Sequence, residues 1–350
     1  MRRILSIGIV TAALVSAVAI PGAQYAEPNA PGQPAWAYAI TPPRPPGTPA
    51  PPPVADDGTM WRLPETDRTF TRTQIRDQFG PADWYPNDHP AMPDIVAKGR
   101  REDARACGMC HYPNGKGRPE NAGVAGLPLT YFIQQIHDFR NDLRKSAEPR
   151  KTNTNTMIEI AKALTDDEIQ AAAEYFASMK WTPWIRVVET AQVPKMRSQA
   201  GMWLPLEGAQ SGMEPIGQRV IETPENVEWA EKHRSPRHGF IAYVPVGSVA
   251  KGQALVQNGD PARGIIACTV CHGGDLHGIE PNIPSIAARS PSYMARQLFD
   301  FQQGTRNGSM GRLMKPVVAN MTNEDFVNVT AYLASLPAQA QQPTFTTASN

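Results

Sequence analysis

The feature that most constrains this chain is an internal repeat that keeps its order over most of the length. Val96-Ala97-Lys98-Gly99 returns as Val249-Ala250-Lys251-Gly252, and Cys107-Gly108-Met109-Cys110-His111 returns as Cys268-Thr269-Val270-Cys271-His272. Tyr131, Gln135, Asp138 and Phe139 return with the same spacing as Tyr293, Gln297, Asp300 and Phe301. Met157, Leu164, Thr165 and Glu168 return as Met314, Met321, Thr322 and Asp325, and Tyr175-Phe176-Ala177-Ser178 returns as Tyr332-Leu333-Ala334-Ser335. A repeat of this kind means two copies of one folding unit. That agrees with a length of 350 residues, which suits roughly two domains at about 150 residues each.

Each copy reads as helical, because neither alternates apolar and polar residues at period two. The expected fold class is all-α. Thr165-Asp166-Asp167-Glu168 is a capping box, and the helix it opens carries Ile169, Ala172, Tyr175, Phe176 and Met179 on one face. Thr322-Asn323-Glu324-Asp325 repeats the signal. The expected division is a signal peptide at 1–26, a Pro-rich tether and transition segment at 27–86, a first domain at 87–181, a connector at 182–246, a second domain at 247–337 and a flexible tail at 338–350.

The chemistry sits in the two Cys-x-x-Cys-His runs. On a helical turn the two thiols lie three residues apart on one face and the His follows the first Cys by four. All three can then meet one haem, with the thiols as thioethers to its vinyl groups and the imidazole as proximal iron ligand. The chain has only four Cys, and all four fall in these runs. The expectation is two covalent haems, one at Cys107, Cys110 and His111, the other at Cys268, Cys271 and His272. The alternatives are a disulfide within each pair, or zinc, which wants further ligands nearby.

A thioether as sixth ligand raises the potential and closes the iron to substrates. Met157 and Met314 are the candidates. One Met in a helical protein is ordinarily core filler, but filler has no reason to keep register in both copies. Met310 competes in the second copy, although Asn153 stands at its place in the first. His137 competes in the first copy, where the second has Phe299. His277 lies too close to His272 to reach the opposite face, and His89, His233 and His238 fall outside the repeats.

The N-terminus, Met1-Arg2-Arg3 followed by an apolar run from Ile4 to Ile20, reads as an export signal with cleavage after Ala19, Ala23 or Ala26, which makes the expected location periplasmic. An uncleaved signal would instead hold the chain at the membrane. Pro21 to Pro53 is crowded with Pro and Ala and favours an extended tether. Residues from Trp181 to about Val246 read as an ordered connector. A net charge of +1 excludes nucleic-acid binding by bulk electrostatics.

These residues resemble a family, the tandem dihaem class I cytochromes c of the cytochrome c4 type, over about 96–180 and 249–336. The resemblance implies two tandem class I cytochrome c domains, and Pro284 as the residue whose carbonyl holds the His272 imidazole. The first copy has Ala122 in place of that Pro. By this reading the chain passes single electrons between redox protein partners such as a dehydrogenase, an oxidase or a small cytochrome. The alternatives are a dihaem oxidoreductase, either a peroxidase or a sulfur-compound dehydrogenase, and a cytochrome subunit of a membrane dehydrogenase or oxidase complex. Either enzyme needs an open or replaceable sixth position, which the paired Met157 and Met314 oppose, so an electron-transfer protein is favoured over an enzyme. The cluster Arg140, Arg144, Lys145, Arg150 and Lys151 is expected either to steer an acidic partner to the first haem edge or to be a solvated loop.

Overall fold

The structure, a computed structural model, describes residues 28–43, 46–49, 52 and 54–338. The expected signal peptide and all but the first residue of the expected tail lie outside the described residues. Ahead of the first repeat, β1 (Trp61–Arg62) and β2 (Thr69–Phe70) form an antiparallel pair followed by α1 (Arg72–Ile75). Trp61 and Phe70 pack there against a buried cluster of Leu63, Ile75, Trp84 and Tyr85.

The first repeat supplies α2 (Asp94–Ala97), α3 (Cys107–His111), α4 (Leu129–Arg140), α5 (Thr152–Ala163) and α6 (Asp166–Ala177). The capping box forms as read. Thr165 Oγ1 accepts from Glu168 N at 3.2 Å, and Glu168 Oε2 accepts from Thr165 N at 2.8 Å. This fixes the start of α6, so Ile169, Ala172, Ala173 and Phe176 turn inward against Phe132 and Ile136 of α4. The Phe132 and Phe176 rings stack at 5.9 Å between centroids.

The connector departs from the all-α expectation. It holds β3 (Ile185–Glu189), β4 (Gln192–Pro194), β5 (Met196–Gln199), β6 (Met202–Pro205), β7 (Met213–Pro215), β8 (Ile221–Pro224), α7 (Val227–Glu231) and β9 (Phe240–Val244). In a three-stranded sheet β9 is central, parallel to β3 and antiparallel to β8, while β4 pairs with β7 and β5 with β6. Ala242 and Val244 of β9 join the core of the second repeat, whereas Tyr243 faces a separate cluster of Val193, Met196, Trp203 and Ile221. With apolar packing on both faces, no polar alternation marks the strand.

The second repeat is α8 (Ser248–Asn258), α9 (Thr269–His272), α10 (Pro291–Gln302), α11 (Met314–Val318) and α12 (Asn323–Ser335). Its capping box is complete as well, Thr322 Oγ1 accepting from Asp325 N at 3.2 Å.

The Pro-rich leader is not a free tether throughout. Trp36, Ala37, Tyr38 and Ala39 are buried. The Trp36 carbonyl accepts from Trp203 Nε1 at 2.8 Å, and the Ala37 carbonyl accepts from Arg296 at 2.7 Å. A few aromatic side chains thus turn one part of the segment into a strap across the second repeat and the connector.

Candidate haem sites

Both Cys-x-x-Cys-His runs form single helical turns, α3 and α9, which bring each pair of thiols and its His to one side. The imidazoles are oriented by backbone. His111 Nδ1–H donates to the Ala122 carbonyl at 2.8 Å, and His272 Nδ1–H donates to the Pro284 carbonyl at 2.9 Å. The second contact is the one the resemblance implied. In the first copy Ala122 performs it, because a carbonyl rather than the Pro ring is what the imidazole needs. With Nδ1 engaged, Nε2 is the nitrogen left for a metal. Burial holds both imidazoles below their ordinary pKa, in the neutral form that ligates. Burial also pushes the Cys107 thiol up to about 12 and the Cys268 thiol to about 11.

One continuous cavity runs between the two repeats, lined by Cys107, Cys110, His111 and Met157 from the first and Cys268, Cys271, His272 and Met314 from the second. Every residue expected to hold a haem is therefore on its wall. Met310 lines it too and remains a rival to Met314, but His137 and His277 are not among the lining residues. His277 Nδ1–H is occupied by the Asp275 carbonyl at 2.8 Å. No disulfide joins the four Cys, and among the described residues no group of three or more His, Cys, Asp or Glu is placed to hold a metal ion.

Sequence reading missed what lies between the two motifs. Arg144 donates to Gln135 Oε1 at 2.9 Å in its own repeat, and across the interface to Tyr293 Oη at 2.8 Å and Gln297 Oε1 at 3.0 Å. Arg306 mirrors it, donating to Gln297 Oε1 at 3.1 Å and across to Tyr131 Oη at 2.8 Å and Gln135 Oε1 at 2.7 Å. A short antiparallel bridge joins the two Arg backbones. The signal was in the repeat: Tyr131, Gln135 and Asp138 recur at helical spacing as Tyr293, Gln297 and Asp300, a polar face kept in both copies, and Arg144 and Arg306 stand at matched distances beyond it.

The basic rim expected around Arg140 to Lys151 does not form. Arg144 and Lys151 are buried; Arg140 pairs with Asp166 at 2.7 Å, Arg150 with Glu148 at 2.6 Å and Lys145 with Asp142 at 3.6 Å. These charges serve the interface and local ion pairs.

The residues fit haem on their own chemistry. Two thiols and an Nε2-available imidazole stand at each end of the cavity, with a thioether on the wall of each. Between them, the hydrogen-bond partners of the buried Arg144 and Arg306 are neutral amides and hydroxyls, and Arg289 lines the same cavity with its Nε buried and unpartnered among the described residues. Buried cations of this kind suit anionic groups such as the haem carboxylates.

Comparison with known proteins agrees. The cytochrome c family profile matches residues 96–180 and 249–337, one match per repeat. A Stutzerimonas stutzeri protein named thiosulfate dehydrogenase electron acceptor is 32% identical over 241 residues, covering 68% of this chain and 82% of that protein. The chain belongs to the cytochrome c family. It is a tandem, cytochrome c4-like member that carries two covalently bound c-type haems and transfers electrons. Cytochrome c4 of Pseudomonas aeruginosa is 25% identical over 236 residues, covering 67% of this chain and 85% of its own. The solved cytochrome c4 of Acidithiobacillus ferrooxidans aligns with 66% of this cytochrome and 98% of its own chain at 23% identity, with a TM-score of 0.42.

Proposed function

We propose that this cytochrome carries single electrons between protein redox partners in the periplasm. Cys107, Cys110, His111 and Met157 hold one haem in a domain spanning 87–181, and Cys268, Cys271, His272 and Met314 hold the other in a domain spanning 247–337. The observation that carries this reading is the single cavity whose wall includes both haem motifs and both matched methionines. When bound, the haem supplies reversible one-electron chemistry. The chain's own residues do the rest. The thiols anchor the group, and the Ala122 and Pro284 carbonyls hold the two imidazoles with Nε2 presented. Met157 and Met314, on the cavity wall, would supply the sixth ligands, which would keep substrates off the iron and leave electron passage as the available chemistry. Arg144 and Arg306 bind the two domains together, so both sites belong to one rigid interior. The N-terminal export signal supports the location, and among the described residues no helix is long and apolar enough to cross a membrane. The relative named as an electron acceptor of a dehydrogenase supports a dehydrogenase as the donor class.

The test is ligation. The oxidised protein is expected to show the weak far-red sulfur-to-iron band, and the reduced protein to leave carbon monoxide unbound. Met157→His and Met314→His should each lower one potential and leave the other nearly unchanged. Rapid carbon monoxide binding at either haem of the parent protein would overturn the carrier reading in favour of an enzyme. An unchanged titration for Met314→His would transfer its role to Met310.

A further inference from the structure

The two haem motifs are matched in sequence but not in cover. In both copies the motif His carbonyl accepts a hydrogen bond from a Gly six residues on, Gly117 N at 2.8 Å and Gly278 N at 2.9 Å, so positions align one to one through this loop. Met109 and Cys110 are half-buried and Arg118 and Pro119 buried, whereas their counterparts Val270, Cys271, Ile279 and Glu280 are all exposed.

The cover on the first motif comes from the connector and the leader. Arg234 donates to the Met109 carbonyl, and its guanidinium lies over the Tyr112 ring at 5.6 Å. Asn114 Nδ2 donates to the Pro236 carbonyl at 2.8 Å, and Arg118 to the Ala230 carbonyl at 3.3 Å and to Glu231 at 3.2 Å. From the other side, Ala106 N donates to the Gln78 carbonyl at 2.9 Å. Tyr112 itself sits at φ 62, where the second copy has Gly273 at φ 83. A side chain is strained at that backbone conformation, and in the first copy the Tyr112 ring is buried with the Arg234 guanidinium over it. Among the described residues, the second motif has no counterpart of these contacts.

We infer that the face of the second domain around Val270, Cys271 and Ile279 is the single port through which this cytochrome exchanges electrons with a protein partner, the connector having closed the equivalent face of the first domain. The inference rests on the haem reading above. Cys271, which would hold one vinyl group of the second haem as a thioether, is exposed, so the porphyrin edge joined there would lie at the surface. Exposed apolar side chains concentrate in this domain: of nine large hydrophobic side chains exposed among the described residues, five are Ile266, Val270, Ile279, Met310 and Leu313. Ile266, Met310 and Leu313 also line the haem cavity, and Ile279 Cγ1 lies 3.9 Å from where a Cβ on Gly273 would stand, beside the ligand His.

Charge identifies the partner class. From Gly264 to Ala288 there is no Lys or Arg, and Asp275 and Glu280 are the exposed carboxylates. Arg263 is tied to Asp260 and Asp325 at 2.6 and 2.7 Å, and Arg312 and Lys315 stand on the methionine side. No single-signed field is present, so the surface fits a redox protein whose own cofactor edge is framed by apolar residues, recognised by burial rather than by steering.

The probe is a reduced small blue copper protein with an apolar surface over its copper, mixed with the oxidised dihaem protein in a stopped-flow instrument. For the parent, the second-order rate is expected to change less than about twofold between low and physiological ionic strength; a change of about tenfold or more overturns the apolar reading. The double variant Val270→Asn with Ile279→Gln should slow the reaction about tenfold or more at unchanged potentials, the milder Val270→Thr about twofold, and Met109→Gln, the matched first-domain position, less than twofold. Equal rates for the parent and both second-domain variants overturn the port, as does an equal slowing by Met109→Gln. A parent dimer in sedimentation that the double variant converts to monomer overturns it in favour of a second copy of this chain. Haem counted on the denatured proteins separates the two claims: fewer than two covalent haems in the parent defeats the haem reading, whereas full haem content with unaffected rates defeats the port alone.

Discussion

Replacing Gly252 by Ala tests the packing behind the second haem, because local propensity and tertiary structure predict opposite signs. In the interior of an exposed helix, Gly→Ala is worth about 1 kcal/mol of added stability. Gly252 is instead buried where α8 crosses α12, and a Cβ there would lie 1.9 Å from the Asn328 carbonyl oxygen, 2.6 Å from its carbon and 2.8 Å from Tyr332 Cβ. Ordinary contact begins near 3.4 Å, so the two helices must part by roughly 1.5 Å or slide, and the obstacle is backbone that cannot rotate away. Overpacking of this kind costs about 1–3 kcal/mol and occasionally more. A 1.9 Å approach to backbone belongs at the upper end of that range, about 2–3 kcal/mol, so the propensity gain leaves a net loss of about 1–2 kcal/mol, worth roughly 4–16 °C in the melting of a domain of about 100 residues. Val329 and Leu333 of α12 line the haem cavity, so the loss should register in the Soret band as well as in far-UV circular dichroism. With two domains the melt need not be two-state, and the lower transition is the one to read. An unchanged or raised transition temperature for Gly252→Ala would refute the close helix crossing.

Two further outcomes follow from other parts of the molecule. Burial among Trp184 and Phe240 holds His238 down to about 4, against 6.5 ordinarily. A depressed folded-state pKa contributes stability above pH 6.5 that is lost as pH falls toward 4, at up to about 1.4 kcal/mol per unit, so urea midpoints of His238→Phe should fall less steeply than the parent's across that window; parallel slopes would exclude the residue as a source of acid sensitivity. Changing Arg144 and Arg306 together to Gln should lower both haem potentials by tens of millivolts, since buried positive charge favours the reduced state; unchanged potentials in a spectroelectrochemical titration would place the pair too far from the haems to matter.

What was legible in the sequence was whatever the repeat duplicated. Matched positions singled out Met157 and Met314, both of which line the cavity, and set aside His137, which does not, and the two capping boxes located α6 and α12. Matched letters nevertheless hide different roles. Gly252 is buried within α8, while its counterpart Gly99 follows the four-residue α2 at φ 64. The connector strands stayed hidden because Phe240 to Val244 is an unbroken apolar run, a pattern that periodicity cannot tell from buried helix. Composition misread the leader, since Trp36 and Tyr38 are buried among prolines and a Pro count gives them no weight. Charge misread Arg144, which looked like a surface cation because its partners, Tyr293 and Gln297, lie about 150 residues away in the other copy. The duplicated Tyr-Gln-Asp face was the clue that those charges pointed inward.

The central claim is two covalent haems on one chain, and the most direct measurement is the intact mass of the denatured protein after acid-acetone extraction. The account predicts a polypeptide that still carries two haems, and one haem in the variant with Cys268 and Cys271 both changed to Ala. A haem-free polypeptide from the parent, or a variant that still holds two, would contradict it.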